Sequence, residues 1–181
     1  MRVIAGLAKG VRLAPVPAGT RPMADRVREG LFSSLGEQVM GATVLDLFSG
    51  TGGIGIEALS RGAAHALFVD SGPAAVKTIR ENLRRTKLER LAAVRRLDAL
   101  AAIRQKPGQF DVVFVDPPYR VHAGYLGTLL EQIAGQRVVA PQGLVVLSRE
   151  TKSHMPVIPV NWRSERRLSY GDAIVLVYKA Q

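Results

Sequence analysis

Asp116-Pro117-Pro118-Tyr119 follows directly on the apolar run Val112-Val113-Phe114-Val115. A carboxylate, two rigid prolines and an aromatic ring at a strand end can hold a planar amine. The carboxylate and a backbone carbonyl accept its N–H groups while the ring stacks on the flat face beside it. That is the arrangement needed to offer an amino group to a methyl donor. The same string also serves as a proline turn after a strand, with Pro presetting the backbone angle and Asp capping it. A donor site elsewhere in the chain has to decide between the two.

The stretch Val44-Leu45-Asp46-Leu47-Phe48-Ser49-Gly50-Thr51-Gly52-Gly53-Ile54-Gly55 supplies a candidate donor site. Its glycines permit a tight strand-to-helix turn and let the backbone approach a ligand closely. Gly50, Gly52 and Gly55 also satisfy the dinucleotide fingerprint, with Asp70 twenty residues beyond Gly50 where a ribose-binding acid belongs. A nicotinamide dehydrogenase therefore has to be weighed. Asp46 decides against it, because a carboxylate just before the turn suits the cationic amino acid end of S-adenosylmethionine and would repel a pyrophosphate. The expected contacts of that cofactor are Asp46, Phe48, Ser49, Gly50, Thr51 and Gly52 around the turn, and Asp70 with Ser71 at the ribose. Asp98 with Ala99 would meet the adenine. Asp98 is equally suited to cap the helix that begins Ala99-Leu100-Ala101.

These side chains need a scaffold that brings several strand ends to one edge. After Gly41 short apolar strands alternate with helical stretches, the signature of βαβ units and a parallel sheet. Strands are expected at Thr43 to Leu47, Ala66 to Val69, Ala93 to Leu97, Phe110 to Val115 and Gly143 to Leu147. One helix should end at Gly62. A second starts at Pro73 with Val76, Ile79 and Leu83 on its apolar face, and a third carries Leu126, Leu129, Leu130 and Ile133. Trp162 to Tyr170 and Ala173 to Tyr178 read as a closing hairpin around Gly171. Ahead of this unit, Met23, Val27, Leu31 and Leu35 recur every four residues and predict a helix from Pro22 that stops at Gly36, with Gly30 weakening it. Residues 1–20 carry Arg2-Val3-Ile4-Ala5 and Val11-Arg12-Leu13 around glycines, a β-hairpin extension on a catalytic domain covering 21–181. The fold expected is a Rossmann-like α/β sheet, mostly parallel, with helices on both faces and an antiparallel C-terminal hairpin.

With 181 residues, 47% of them hydrophobic, the chain fits one domain with a full core. It has no cysteine and only three histidines, which excludes disulfides and thiolate metal sites and disfavours zinc, so no metal is expected. Met1-Arg2-Val3-Ile4 begins no signal-peptide pattern, and no apolar run approaches the roughly 20 residues that span a bilayer. A soluble, cytoplasmic protein without a membrane partner is the expectation. The net charge of +10 points to a polyanion as partner. Basic residues concentrate in two zones, Arg2 to Arg28 and Arg80 to Arg96, which would contact phosphates on either side of a site.

With both motifs in place, nearly the whole chain resembles the RsmD family, bacterial methyltransferases acting on an exocyclic guanine amine of 16S ribosomal RNA. The likeness runs from Arg2-Val3-Ile4-Ala5-Gly6 and Lys9-Gly10-Val11-Arg12-Leu13 through the Gly50 loop and the Asp116 motif to Tyr170-Gly171-Asp172. Its most discriminating segment is Arg21-Pro22-Met23-Ala24-Asp25-Arg26-Val27-Arg28-Glu29. The chain departs at Met23, where the family usually has Thr, and at Ser33, often Asn. The resemblance implies that Arg21 and Arg26 lie near the methionine end of the cofactor, and that Arg2, Lys9 and Arg12 help hold the RNA. It implies 16S rRNA within a small-subunit assembly intermediate as the partner, and nothing in the chain requires more than a monomer. Asp116 and the Pro117 carbonyl would accept from guanine N2, and Tyr119 would stack on the base beside Pro118. A DNA adenine-N6 or cytosine-N4 methyltransferase shares the Asp-Pro-Pro-aromatic logic but usually adds a target-recognition domain, for which the chain between Tyr119 and Gly143 leaves no room. A noncatalytic RNA-binding module would have no need of Asp46, Gly50, Asp70 and Asp116 together.

Overall fold

A computed structural model describes residues 1–15, 23–118 and 120–181. The elements in chain order are α1 (Asp25–Leu35), β1 (Thr43–Leu47), α2 (Gly53–Ser60), β2 (His65–Asp70), α3 (Pro73–Thr86), β3 (Ala92–Arg96) and α4 (Ala99–Arg104). They continue with β4 (Phe110–Val115), α5 (Ala123–Gly135), β5 (Val139–Glu150), β6 (Trp162–Tyr170) and β7 (Ala173–Ala180). One seven-stranded sheet runs in the order β3-β2-β1-β4-β5-β7-β6. β1 to β5 pair in parallel, and β7 lies antiparallel between β5 and β6. This is the Rossmann-like methyltransferase sheet that the sequence predicts.

Both faces of the sheet are covered, which is why its strands read as nearly continuous apolar runs. Alternate residues serve opposite cores. Val44, Phe68, Phe114 and Val146 pack toward α1, α2 and α3, while Leu45, Val69, Val115 and Leu147 pack toward α4 and α5. After β1 the chain moves outward to β2 and β3, then returns to place β4 on the other side of β1. That reversal opens a crevice at the carboxyl ends of β1 and β4, the usual place for a ligand in such sheets. Register aligns the strand ends: Leu47 faces Val69 on one side and Val115 on the other. Phe48, Asp70 and Asp116 therefore emerge side by side.

Two local expectations change. The N-terminal β-hairpin closes with a single antiparallel bridge, Arg2 to Arg12, instead of a ladder. Val3 and Leu13 amides bond across it to Val11 and Met1, while other donors are drawn into the body of the protein. Ile4 and Ala5 amides donate to Glu57 at 2.8 and 3.1 Å, Ala8 donates to the Ser60 hydroxyl at 2.9 Å, and Ala14 donates to Asn82 Oδ1 at 2.6 Å. Val3 and Leu13 are buried in the core. The segment is a strap across α2 and α3. The second change is at β5, which starts at Val139, four residues before the expected Gly143. Pro141-Gln142-Gly143 forms an irregularity inside the strand, with the register shifting opposite Phe110 and Val112. A Cβ on Gly143 would lie 2.8 Å from the Asp111 carbonyl, so only glycine fits that bulge. No helix among the described residues is long and apolar enough to cross a membrane.

Candidate active site

A cavity of about 680 Å³ opens over the strand ends at the β1/β4 crevice. Its floor is the glycine loop, where Phe48, Gly50 and Gly52 adopt positive φ of 60°, 57° and 78°. Phe48 pays for its left-handed backbone with a ring set edge-on to Tyr125, centroids 6.5 Å apart. Ser49 fastens the turn: its hydroxyl donates to the Asp46 carbonyl at 2.6 Å and accepts from the Val69 amide at 3.0 Å. Farther along, Gly55 is the close-packing glycine. A Cβ there would come within 2.3 Å of the Phe68 ring.

Asp70 sits at the end of β2 with both oxygens engaged, accepting from Gly50 N and Gly72 N, each at 2.8 Å. The two bonds set the carboxylate on the cavity wall with lone pairs to spare for hydroxyls, and Ser71 lines the wall beside it. Asp98 is the cap of α4 and also a residue of the cavity wall. Oδ1 caps α4 by accepting from Leu100 N at 2.9 Å and Ala101 N at 3.2 Å, and the residue lines the cavity with Ala99. Its Oδ2 accepts from the Tyr125 hydroxyl at 2.8 Å. Burial, and the bond to Asp98, push the Tyr125 phenol up to about 12, so it remains a donor.

Asp116 follows β4 and lines the opposite wall with Pro117 and Pro118. Burial pushes its carboxyl up to about 6, and a hydrogen bond from Ser148 on β5 works against the rise. It is a carboxylate at neutral pH, close enough to its titration to take and release a proton.

Other expected residues fall elsewhere. Asp46 does not reach the cavity wall: it is 1% exposed beneath the loop, where Oδ2 accepts from Gly55 N at 3.0 Å and Oδ1 has no partner among the described residues. Burial, with repulsion from Asp116 and Asp70, pushes it up to about 8. Gly52 also lies off the wall, as the left-handed residue before α2. Arg26 is exposed on the first turn of α1 and not part of the wall. Arg28, read from sequence as part of a basic surface, is buried at 1% exposure and paired with Asp25 at 3.1 Å. Arg2 and Arg12 are exposed and bridged to each other, whereas Lys9 sits in the turn that rests on the last turn of α2. Within the second basic zone, α3 runs away from the cavity, so Arg84, Arg85 and Lys87 lie toward the far end of the sheet. Arg21 and Tyr119 lie outside the described residues.

Four contributors escaped the sequence reading: Tyr125, Ser148, Asn82 and Tyr170. Asn82 donates to the Thr51 carbonyl at 2.9 Å while accepting from Ala14 N, joining the loop to the N-terminal strap. A polar residue on the apolar face of α3, beside Ile79 and Leu83, was the available signal.

A family model described as Conserved hypothetical protein 95 matches residues 1–179. The chain belongs to the RsmD family. Ribosomal RNA small subunit methyltransferase D of Escherichia coli strain K12 is 34% identical over 183 residues, covering 100% of this chain and 90% of the relative. YlbH of Bacillus subtilis strain 168 is 37% identical, covering 99% and 98%. Among solved structures, the Escherichia coli protein yhhF superposes with a TM-score of 0.89 at 34% identity, over 100% of this chain and 98% of that one. This RsmD member is therefore a methyltransferase, and its cavity opens at the crevice of its Rossmann-like sheet.

Proposed function

We propose that this chain methylates the exocyclic N2 amine of a guanine in 16S ribosomal RNA, using S-adenosylmethionine. The observation that carries the reading is the convergence of Asp70, the glycine loop and Asp116 on one cavity at the β1/β4 crevice. The cavity suits the donor on its own chemistry: Asp70 offers acceptors for ribose hydroxyls and Asp98 for an amine. The donor would supply an electrophilic methyl group on a sulfonium.

The remaining work falls to the protein. A guanine N2 lone pair is delocalised into the ring, so the amine is a poor nucleophile until it is held and partly localised. Asp116 and the Pro117 carbonyl accept its two N–H bonds and aim the nitrogen along the transfer line. Positioning and electrostatics then supply most of the rate. The proton that the amine must lose passes to Asp116 and on to solvent. Tyr119 stacks on the base, which has to leave its helix or loop to enter the cavity. Such stacking contributes about 1–3 kcal/mol.

Arg2 and Arg12, exposed and side by side, contact RNA phosphates in this reading, and Lys9 extends the contact. The protein acts as a monomer in the cytoplasm on a small-subunit assembly intermediate. Labelled S-adenosylmethionine offered with naked 16S RNA or with small subunits lacking the modification tests this directly. Label mapped to one guanine N2, and stronger on the assembled particle, is the expected result. Label on an adenine, or none on either substrate, overturns it.

A further inference from the structure

The wall segment that carries Asp116, Pro117, Pro118 and Arg120 has few ways to be held in place. Pro117 and Pro118 have no backbone N–H, so neither can donate to a neighbouring strand. The segment has to be tied through its acceptors, by donors from elsewhere. Its own amides do little of this: Asp116 N reaches the Leu47 carbonyl only at 3.5 Å, and Val121 N turns back to the Pro118 carbonyl at 2.9 Å. Two outside donors come from consecutive residues of β5. Ser148 donates to the Asp116 carboxylate at the start of the segment, and Arg149 reaches the Val121 carbonyl near its end.

Consecutive strand residues face opposite sides of a sheet. Ser148 lines the cavity, whereas Arg149 shares the face of Leu147, the one that α4 and α5 cover. Arg149 is 3% exposed there and pairs with no carboxylate among the described residues. Its Nη2 donates to the His154 carbonyl at 3.2 Å, Nη1 stands 3.5 Å from the Val121 carbonyl, and Nε has no acceptor among the described residues. Burial draws the guanidinium below its ordinary pKa, with Glu150 opposing. A buried cation answered only by carbonyls is a net cost to folding. What it provides is a tie between two connections, the Asp116 segment ahead of α5 and the chain leaving β5. The second is itself anchored, since Thr151 N donates to the Asp172 carbonyl at 2.8 Å and Ser153 N to the Glu150 carbonyl at 2.9 Å.

We propose that Arg149 is a positioning residue for the target amine: by joining Val121 to His154 it fixes the far end of the Asp116 segment, as Ser148 fixes the near end. The proposal rests on the target reading given above. A reacting group misplaced by about 1 Å loses on the order of 100-fold in rate, so both ends of the segment need holding. A guanidinium suits the task because its forked donors serve two carbonyls at once, whereas an ammonium is a point charge without that fixed fork.

The test pairs Arg149→Met, which keeps the length of the side chain and removes its donors, with Arg149→Lys. In the Met variant, amide hydrogen exchange should rise about tenfold at Arg120 to His122 and at Ser153 to Met155, the scale of one charge-assisted hydrogen bond, with β1 and α2 unaltered. On small subunits lacking the modification, kcat should fall about tenfold or more, while the affinity and stoichiometry of S-adenosylhomocysteine by calorimetry stay the same. Arg149→Lys should recover part of both losses, and it carries the same comparison if the Met variant does not fold. Exchange unaltered at the two connections, or kcat undiminished, would sink the proposal. So would a loss of bound S-adenosylhomocysteine in step with the loss of turnover, which would make Arg149 a purely structural residue. If the unmodified protein methylates neither RNA nor particle, the target reading itself fails and takes this role with it.

Discussion

On the side of the cavity proposed for the donor, the acidic groups are already committed to the protein. Asp70 holds two loop amides, Asp98 holds two helix amides and a tyrosine hydroxyl, and Ser49 stitches β1 to β2. Across the cavity, on the side proposed for the target, Asp116 has one side-chain partner among the described residues, Ser148, and a carboxyl raised to about 6. The contrast separates two tasks. A site that must bind the same donor every cycle benefits from acceptors fixed in advance, since no ordering remains to be done on binding. A site that must accept a proton benefits from a carboxylate kept short of stabilising bonds, because each added donor would lower its basicity.

The largest effect expected from breaking this division is at Asp116. Asp116→Ala should lower kcat by roughly 100-fold or more, the scale of losing one preorganised electrostatic group, with donor affinity by calorimetry unchanged. Turnover near that of the unmodified protein would remove Asp116 from the chemistry. The donor side should answer in the opposite parameter. Asp70→Ala frees two loop amides and should weaken S-adenosylhomocysteine about tenfold or more by the usual value of charged hydrogen bonds, leaving kcat at saturating donor nearly intact. A fall confined to kcat would mean that the two sides are not separate.

Ser148 sharpens the same contrast through pH. The active form of Asp116 is the carboxylate, so kcat/KM should fall as pH drops through about 6. Ser148 donates to that carboxylate and holds its pKa down, so Ser148→Ala should move the acid limb to higher pH; a limb that stays put or moves lower would contradict the assignment. Gly30 gives the smallest effect, on stability. A Cβ there would lie 1.8 Å from the Tyr170 hydroxyl. Gly30→Ala, which would ordinarily favour a helix, should instead destabilise by about 1–3 kcal/mol through overpacking, read as a lower denaturant midpoint.

Legibility followed the range of the interactions. β1, β4 and β6 are found where the apolar runs predict them, because their ends coincide with Gly, Asp or turn residues next in the chain. Phe48, Asp70 and Asp116 were readable for the same reason: each directly follows the last apolar position of a strand. What the hairpin packs against was not legible, because several of its donors pair with Glu57, Ser60 and Asn82, some 52 to 68 residues away. Gly30 looked like a flaw in α1 until Tyr170, from the opposite end of the chain, came to rest against it.

Read alone, the chain therefore determined its class of chemistry, the alternation of strands and helices that builds its sheet, its glycine loop and its basic charge. These depend on short-range patterns: apolar period, glycine at a turn, an acid at a strand end, net charge. Tertiary structure decided which acid faces the cavity and which lies beneath it. Asp46 and Asp70 both belong to the first two strands, yet only Asp70 reaches the wall. It also decided that Arg28 is an interior cation and not part of an RNA-facing surface. Burial and hydrogen-bond partners are properties of packing between distant segments, and those properties set a side chain's charge, basicity and reach.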